Sequence, residues 1–316
     1  MAGNTWSRRS RRSAVLHGIQ CSALLVCVAS HVQAQTWLPQ EGTWTTSVLF
    51  NDVLNREHWT TDGERVDVGH TRSQSYGLVT TYSPTDRLML SAGIPYVRTR
   101  YWGPPSHGGA EIENDDGQWH DDFTDWRLSA HYNLLEDPVV LTPLVALVIP
   151  SGDYETLGHA AHGRQLNEYW LGFGIGKNLD GWLPRTFIQA RYTYAFVEKV
   201  QDVSHDRSNL NLEMGTFVTR RWSLSAFGSW QETHGGIDLP VPRTNPYFAN
   251  HDRIGDDDYF NAGVGIGFSI TPDLTFFATY LTAVSGSNGH VMNQGTTIGL
   301  SYGFNPRQAS GAANDF

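Results

Sequence analysis

The chain has 316 residues with 22 Lys and Arg against 32 Asp and Glu, which gives a net charge of −10. An acidic chain is a poor ligand for nucleic acid, because phosphate backbones attract basic surfaces. The only cysteines, Cys21 and Cys27, lie near the N-terminus. The rest of the chain can therefore form neither a disulfide nor a cysteine-ligated metal site.

The N-terminal region has the three parts of a secretory signal. Four arginines between positions 8 and 12 precede an apolar run at 21–30, and Val32-Gln33-Ala34 follows. The apolar run is shorter than the roughly 20 residues that a membrane-spanning helix needs. We therefore expect cleavage near Ala34-Gln35. The four arginines leave with this segment, so the net charge of the remainder falls from −10 to −14.

The body of the chain alternates in character with a period of two residues. In 125–133, 188–196 and 258–268, apolar residues occupy one side and polar residues or glycine the other. This pattern is typical of strands with one face toward lipid and the other toward a lumen. A soluble β-sandwich shows the same alternation, so the pattern alone leaves both architectures open.

Connection lengths favour a membrane barrel over a sandwich. The predicted strands are 43–51, 70–82, 87–101, 122–135, 139–150, 166–178, 186–199, 208–219, 222–232, 257–269, 274–285 and 291–304. Tight turns alternate with longer connections, which is the asymmetry of periplasmic turns and extracellular loops. Aromatic residues also cluster at strand ends, as in the girdles of such barrels. The predicted fold class is all-β, a transmembrane antiparallel up-and-down β-barrel of about 12 strands.

The predicted organisation is a signal peptide (1–34), an outer-membrane barrel (35–304) and a flexible C-terminal tail (305–316). The strand ending at Phe304 resembles the C-terminal signal that the outer-membrane assembly machinery reads. The expected location is the bacterial cell outer membrane. The expected partners are outer-membrane lipids, lipopolysaccharide, the assembly machinery and a small-molecule solute, but not nucleic acid.

Two segments resemble one family of barrels. Residues 121–135 (DDFTDWRLSAHYNLL) are similar to its G-x-x-D-x-x-L-x-x-R-Y-x-L-L strand, and 150–154 (PSGDY) to its P-[ST]-G-D-Y corner. This is the family of outer-membrane barrels of meta-pathway phenol degradation, which is transporter-like. The resemblance covers most of 36–304. It implies passage of small organic compounds, aromatic or hydrophobic, and assigns no ligand-binding residue.

The predicted inward-facing residues carry charges of both signs. They are Asp125, Arg127, His131, Glu168, Gln189, Arg191, Asn209, Asn211, Glu213 and Asn261. Charges at membrane depth are costly unless they are hydrated or paired. Two interpretations stay open. The residues either line a selective pore or form a salt-bridged plug in a narrow lumen.

The predicted loops contain two acidic clusters, at 115–122 and 251–258. Carboxylates suit Ca²⁺, but the favoured interpretation is a solvated, negatively charged rim. His159 and His162 lie three residues apart on one loop, and this spacing indicates a metal site no better than chance does. The sequence thus predicts no dedicated metal site and no cofactor.

The sequence is compatible with three functions. The leading one is a porin-like channel or transporter for small compounds. The second is a structural or adhesive barrel with a closed lumen and functional acidic loops. The third is a lipid-modifying enzyme, which would need an outward-facing Ser–His pair near the bilayer surface. No such pair is evident, because His131 and Ser129 are predicted to face inward and His234 to lie past a strand end without a serine partner. No catalytic residue is predicted.

Overall fold

The structure, a computed structural model, describes residues 36–104 and 112–306. The predicted signal peptide and the predicted tail from residue 307 onward lie outside the described residues. The strands are β1 Trp44–Trp59, β2 Arg65–Val66, β3 His70–Thr85, β4 Leu88–Trp102, β5 His120–Phe123, β6 Asp125–Tyr132, β7 Val140–Pro150, β8 Glu168–Asn178, β9 Thr186–Val197, β10 His205–Phe217, β11 Trp222–Gly235, β12 Asp258–Ser269, β13 Leu274–Ser287 and β14 His290–Phe304. One short helix, α1 His251–Ile254, precedes β12. No helix in the described ranges is long and apolar enough to cross a membrane.

The strands form one closed antiparallel barrel. Apart from the short β2 and β5, each strand pairs with the next one along the chain, and β14 closes the wall by pairing with β1. The short β2 adds a small hairpin to β1. Strands β5 and β6 are separated only by Thr124 and both pair with β4, so together they fill one wall position. The wall therefore has the predicted twelve strands, and the predicted fold class is confirmed.

Large apolar side chains cover the outer face of the barrel. On β8, Tyr169, Leu171 and Phe173 are 61%, 53% and 44% exposed, whereas Glu168 and Gly174 on the inner face are buried. Such a surface is unfavourable in water by about 25 cal/mol per Å² of apolar area. It belongs in lipid, where a closed barrel leaves no backbone polar group without a partner. The wall therefore crosses a membrane.

The first strand is longer than predicted. The interpretation that strand 43–51 gives way to a loop at 52–69 is wrong, because β1 continues to Trp59. In this extension the outer face is polar, and Asp52 accepts a hydrogen bond from Arg72 Nε on β3 at 2.7 Å. Apolar alternation ends where the strand rises above the lipid, so it could not mark the true end of the strand.

An arginine on the outer face at mid-barrel should destabilise the fold. Val264 is 59% exposed near the centre of β12, between Ala226 and Tyr280 on the neighbouring strands. We expect Val264→Arg to lower the free energy of unfolding by about 2–4 kcal/mol, the cost of arginine at the bilayer midplane. Urea unfolding in lipid vesicles measures this cost. Val264→Leu is the matched control, and equal stability of the two variants would contradict lipid exposure of this face.

Candidate functional site: the barrel lumen

All ten residues predicted to face inward project from the inner face of the wall. Five of them surround one cavity: Arg127, His131, Arg191, Asn209 and Asn211. The other five lie elsewhere on the inner face: Asp125, Glu168, Gln189, Glu213 and Asn261. That these residues line a path for solute stays a prediction.

The cavity has a volume of about 170 Å³. Its lining combines apolar side chains, among them Met89, Leu144 and Trp170, with the guanidinium groups of Arg127 and Arg191. An apolar cavity of about 150 Å³ in another protein binds benzene. The space therefore accommodates a single-ring organic molecule, with positive charge on one part of its surface.

The chain ahead of β1 lies inside the barrel, on the periplasmic side of this cavity. The Thr36 carbonyl accepts a hydrogen bond from Thr142 Oγ1 at 2.7 Å. The Trp37 ring packs edge-to-face on Phe187, with centroids 5.8 Å apart. Gly176 on β8 makes room for this ring, because a Cβ there would lie 2.7 Å from it. The segment 36–43 therefore narrows the lumen.

Buried ion pairs occupy the extracellular side of the cavity. Glu168 on β8 pairs with Arg207 on β10, and Glu168 Oε2 also accepts a hydrogen bond from Trp170 Nε1 at 2.8 Å. Arg164, in the loop 151–167, pairs with Asp257 just before β12. All four charged side chains are less than 10% exposed. Charges this deep are costly unless paired, so the second pair holds the loop against the wall. This half of the interior has the character of the predicted salt-bridged plug.

The two segments that carry the family resemblance meet at one hydrogen bond. The Tyr154 hydroxyl, in the 150–154 corner, donates to Asp125 Oδ1 at 2.5 Å. The same hydroxyl accepts a hydrogen bond from the Gln165 N–H at 2.8 Å. Burial, and next the negative charge of Asp125, raise the pKa of the Tyr154 phenol. It therefore stays a neutral donor and joins the loop to the start of β6.

The acidic clusters form the predicted solvated rim only in part, because Asp116 and Asp121 are exposed but the second cluster contains buried carboxylates. Asp252 and Asp257 are each 1% exposed. Asp115, from the first cluster, accepts hydrogen bonds from the N–H groups of His159 and Ala160, at 3.1 and 2.9 Å. Asp252, from the second, accepts one from the Gly158 N–H at 2.9 Å. Carboxylates from both clusters thus hold the same three-residue stretch of the loop 151–167 inside the barrel.

The sequence patterns did not predict one polar pair on the outer face. Because β11 extends to Gly235, His234 belongs to a strand, and its Nε2 lies 2.7 Å from Ser208 Oγ on β10. The prediction that His234 has no serine partner is wrong. Ser208 is only 5% exposed, and its hydroxyl also lies 3.0 Å from that of Tyr192. A nucleophile must be reachable by its substrate, so the buried Ser208 hydroxyl does not favour lipid hydrolysis.

No family model matches the chain, and no curated protein matches it. Among solved structures, the chain is similar to the COG4313 outer membrane channel from Pseudomonas putida F1, with a TM-score of 0.67 and 15% identity over 86% of this chain and 99% of that one. The translocator domain of the autotransporter NalP from Neisseria meningitidis aligns with a TM-score of 0.48 and 14% identity, over 84% of this chain and 89% of that one. The first likeness shows that the fold is that of a bacterial outer-membrane barrel.

Breaking the buried Glu168–Arg207 pair should destabilise the barrel. Arg207→Met leaves the Glu168 carboxylate buried without its countercharge, and we expect a loss of about 3–5 kcal/mol in the free energy of unfolding. The double variant Glu168→Gln, Arg207→Met removes both charges and should recover most of that loss. Urea unfolding in vesicles tests both variants. A double variant as unstable as the single one would refute the argument.

Acidification should tighten the extracellular plug. Burial raises the pKa of the Asp252 carboxyl to about 6, against the opposing effect of His251. A raised carboxyl pKa means that the folded state binds the proton more tightly than the unfolded state does. Protonation of Asp252 therefore stabilises the folded state at low pH, and this stabilisation is lost as pH rises through about 6. We expect hydrogen exchange at 251–257, corrected for its intrinsic pH dependence, to be slower at pH 5 than at pH 7.5. Asp252→Asn should weaken this dependence, and an unchanged pH profile in that variant would rule the carboxyl out.

Proposed function

We propose that this protein is an outer-membrane channel for small organic compounds of about the size of one aromatic ring. The observation that carries the proposal is the cavity of about 170 Å³ inside the barrel, whose lining is largely apolar and includes two arginines. A lumen filled entirely by salt-bridged side chains, without such a space, would only make the barrel rigid.

Three further observations support this role. Pockets for small organic ligands are mostly apolar with a few placed polar groups, and Trp170 with Arg191 provides both in this cavity. The fold is similar to that of a protein described as an outer membrane channel. The sequence resemblance to transporter-like barrels implies small aromatic or hydrophobic compounds.

Passage requires that the ends of the lumen open. Residues 36–43 narrow the periplasmic side and the loop 151–167 fills the extracellular side. Neither belongs to the barrel wall, so either can move while the strand pairing of β1–β14 persists. The channel we propose is therefore one that opens by displacement of these two segments.

We also propose lipopolysaccharide and the outer-membrane assembly machinery as partners. Arg98 and Arg100 project from the outer face of β4 near the extracellular end, beside Arg72 of β3, which is paired with Asp52. Phosphate groups of lipopolysaccharide would be attracted to this basic surface. The final strand, which ends at Phe304, is the segment that we propose the assembly machinery reads after export by the cleaved signal peptide.

Planar-bilayer recording tests the channel. The refolded barrel should give ohmic steps, and Arg127→Ala and Arg191→Ala should shift the reversal potential in a KCl gradient toward cation selectivity, because each removes positive charge from the cavity. Arg221→Ala, in the exposed turn between β10 and β11, is the matched control and should leave the reversal potential unchanged.

The N-terminal segment provides the second arm of the test. Trp37→Ala removes the ring that packs on Phe187, and we expect a higher open probability or conductance. A barrel that stays silent in the wild type and in all these variants would refute the channel. It would favour the closed structural barrel, for which the inward-folded loop 151–167 is the supporting observation.

A further inference from the structure

Three histidines meet at the extracellular end of the closing seam. His58 on β1 and His290 on β14 are cross-strand partners at the last paired position of the seam. His159 reaches them from the loop 151–167. One ring nitrogen from each of the three lies within 4.8 Å of the others. The three side chains are 2%, 8% and 4% exposed, in that order.

The His159 ring is held in place by contacts on its face and on its backbone. It stacks on Tyr101 with centroids 4.1 Å apart and an interplanar angle of 13°. The backbone N–H of His159 donates to Asp115 Oδ2 at 3.1 Å, and its backbone carbonyl accepts a hydrogen bond from Thr71 Oγ1 at 3.2 Å. These contacts position the His159 ring beside His58 and His290.

The two seam histidines carry buried nitrogens that the described residues leave without a partner. Nδ1 of His58 and Nδ1 of His290 are both inaccessible and accept or donate no hydrogen bond there. A buried polar atom in this state costs about 1–3 kcal/mol, and such atoms are rare in native proteins unless a ligand or function accounts for them. The rings of His58 and His290 lie 4.1 Å apart between centroids.

We propose that His58, His159 and His290 bind a single Zn²⁺ ion. Neutral imidazole nitrogen is a preferred ligand of Zn²⁺, and three histidines with one position left open form a known zinc coordination set. Hard cations such as Ca²⁺ need oxygen ligands, which this cluster does not offer. The nitrogens lie within 4.8 Å of one another, so binding requires the rings to move together until each nitrogen reaches the Zn–N distance of about 2.0–2.1 Å.

The site ties the loop 151–167 to the seam between β1 and β14. Two ligands belong to the barrel wall and the third to the loop, so Zn²⁺ binding joins elements that are far apart in the sequence. We expect the bound ion to resist displacement of the loop. The proposal concerns metal binding by the barrel and holds whether or not the lumen conducts.

Metal titration of the refolded barrel tests the site. The protein is stripped with EDTA, dialysed and titrated with Zn²⁺ by isothermal calorimetry. We expect one ion per barrel, and His159→Gln should weaken binding at least about 100-fold, since even losses outside the ligand set cost about 10–100-fold. His162→Gln is the matched control, because His162 lies in the same loop and is 4% exposed, but is not in the cluster. It should bind as the wild type does.

Two outcomes would overturn the proposal in this experiment: no binding by the wild type up to millimolar Zn²⁺, or equal binding by the wild type and His159→Gln. The shift in mobility on heating in SDS gels verifies that each variant is folded. X-ray absorption of the wild-type zinc complex needs no variant and should show three imidazole nitrogens at about 2.0–2.1 Å. A shell made of oxygens alone would place the ion on the acidic loops and refute the histidine site.

Discussion

Closure of the wall between β1 and β14 is the constraint on which the rest of the structure depends. In lipid, an open sheet edge would leave a row of N–H and C=O groups unpaired, at several kcal/mol each. The two strands pair from Trp44 opposite Phe304 up to His58 opposite His290. Once the wall is closed, the outer face must be apolar along the bilayer, and every polar side chain is confined to the interior or to the ends.

That confinement explains the character of the lumen. Inside a narrow barrel, charges must either pair or face a hydrated space. The extracellular half follows the first course, with Glu168 against Arg207 and Arg164 against Asp257. In the middle, Arg127 and Arg191 instead line the cavity, together with apolar side chains. The extracellular half thus has the character of the predicted plug, whereas a pore lining stays a prediction for the residues around the cavity.

Local pattern was enough to predict the wall, because period-two alternation is set residue by residue. It placed Arg127 and Arg191 on the inner face correctly. It did not predict the polar extension of β1 to Trp59, because apolar alternation stops where a strand leaves the membrane. It also failed where contacts join distant parts of the chain. The spacing of His159 and His162 did not predict the histidine cluster, because His58 and His290 reach His159 only through closure of the barrel. The burial of Asp252 was hidden for the same reason.

The segment 36–43 lies inside the barrel but is held there by weaker interactions than those that hold the strands of the wall. A strand cannot leave the wall without breaking a ladder of hydrogen bonds on both sides. Thr36 and Trp37, in contrast, are held by a side-chain hydrogen bond from Thr142 and a ring contact with Phe187. Interactions of these two types contribute roughly 1 kcal/mol each. The width of the periplasmic mouth is therefore a property that a weak competing ligand could change, while the membrane-spanning framework keeps its full stability.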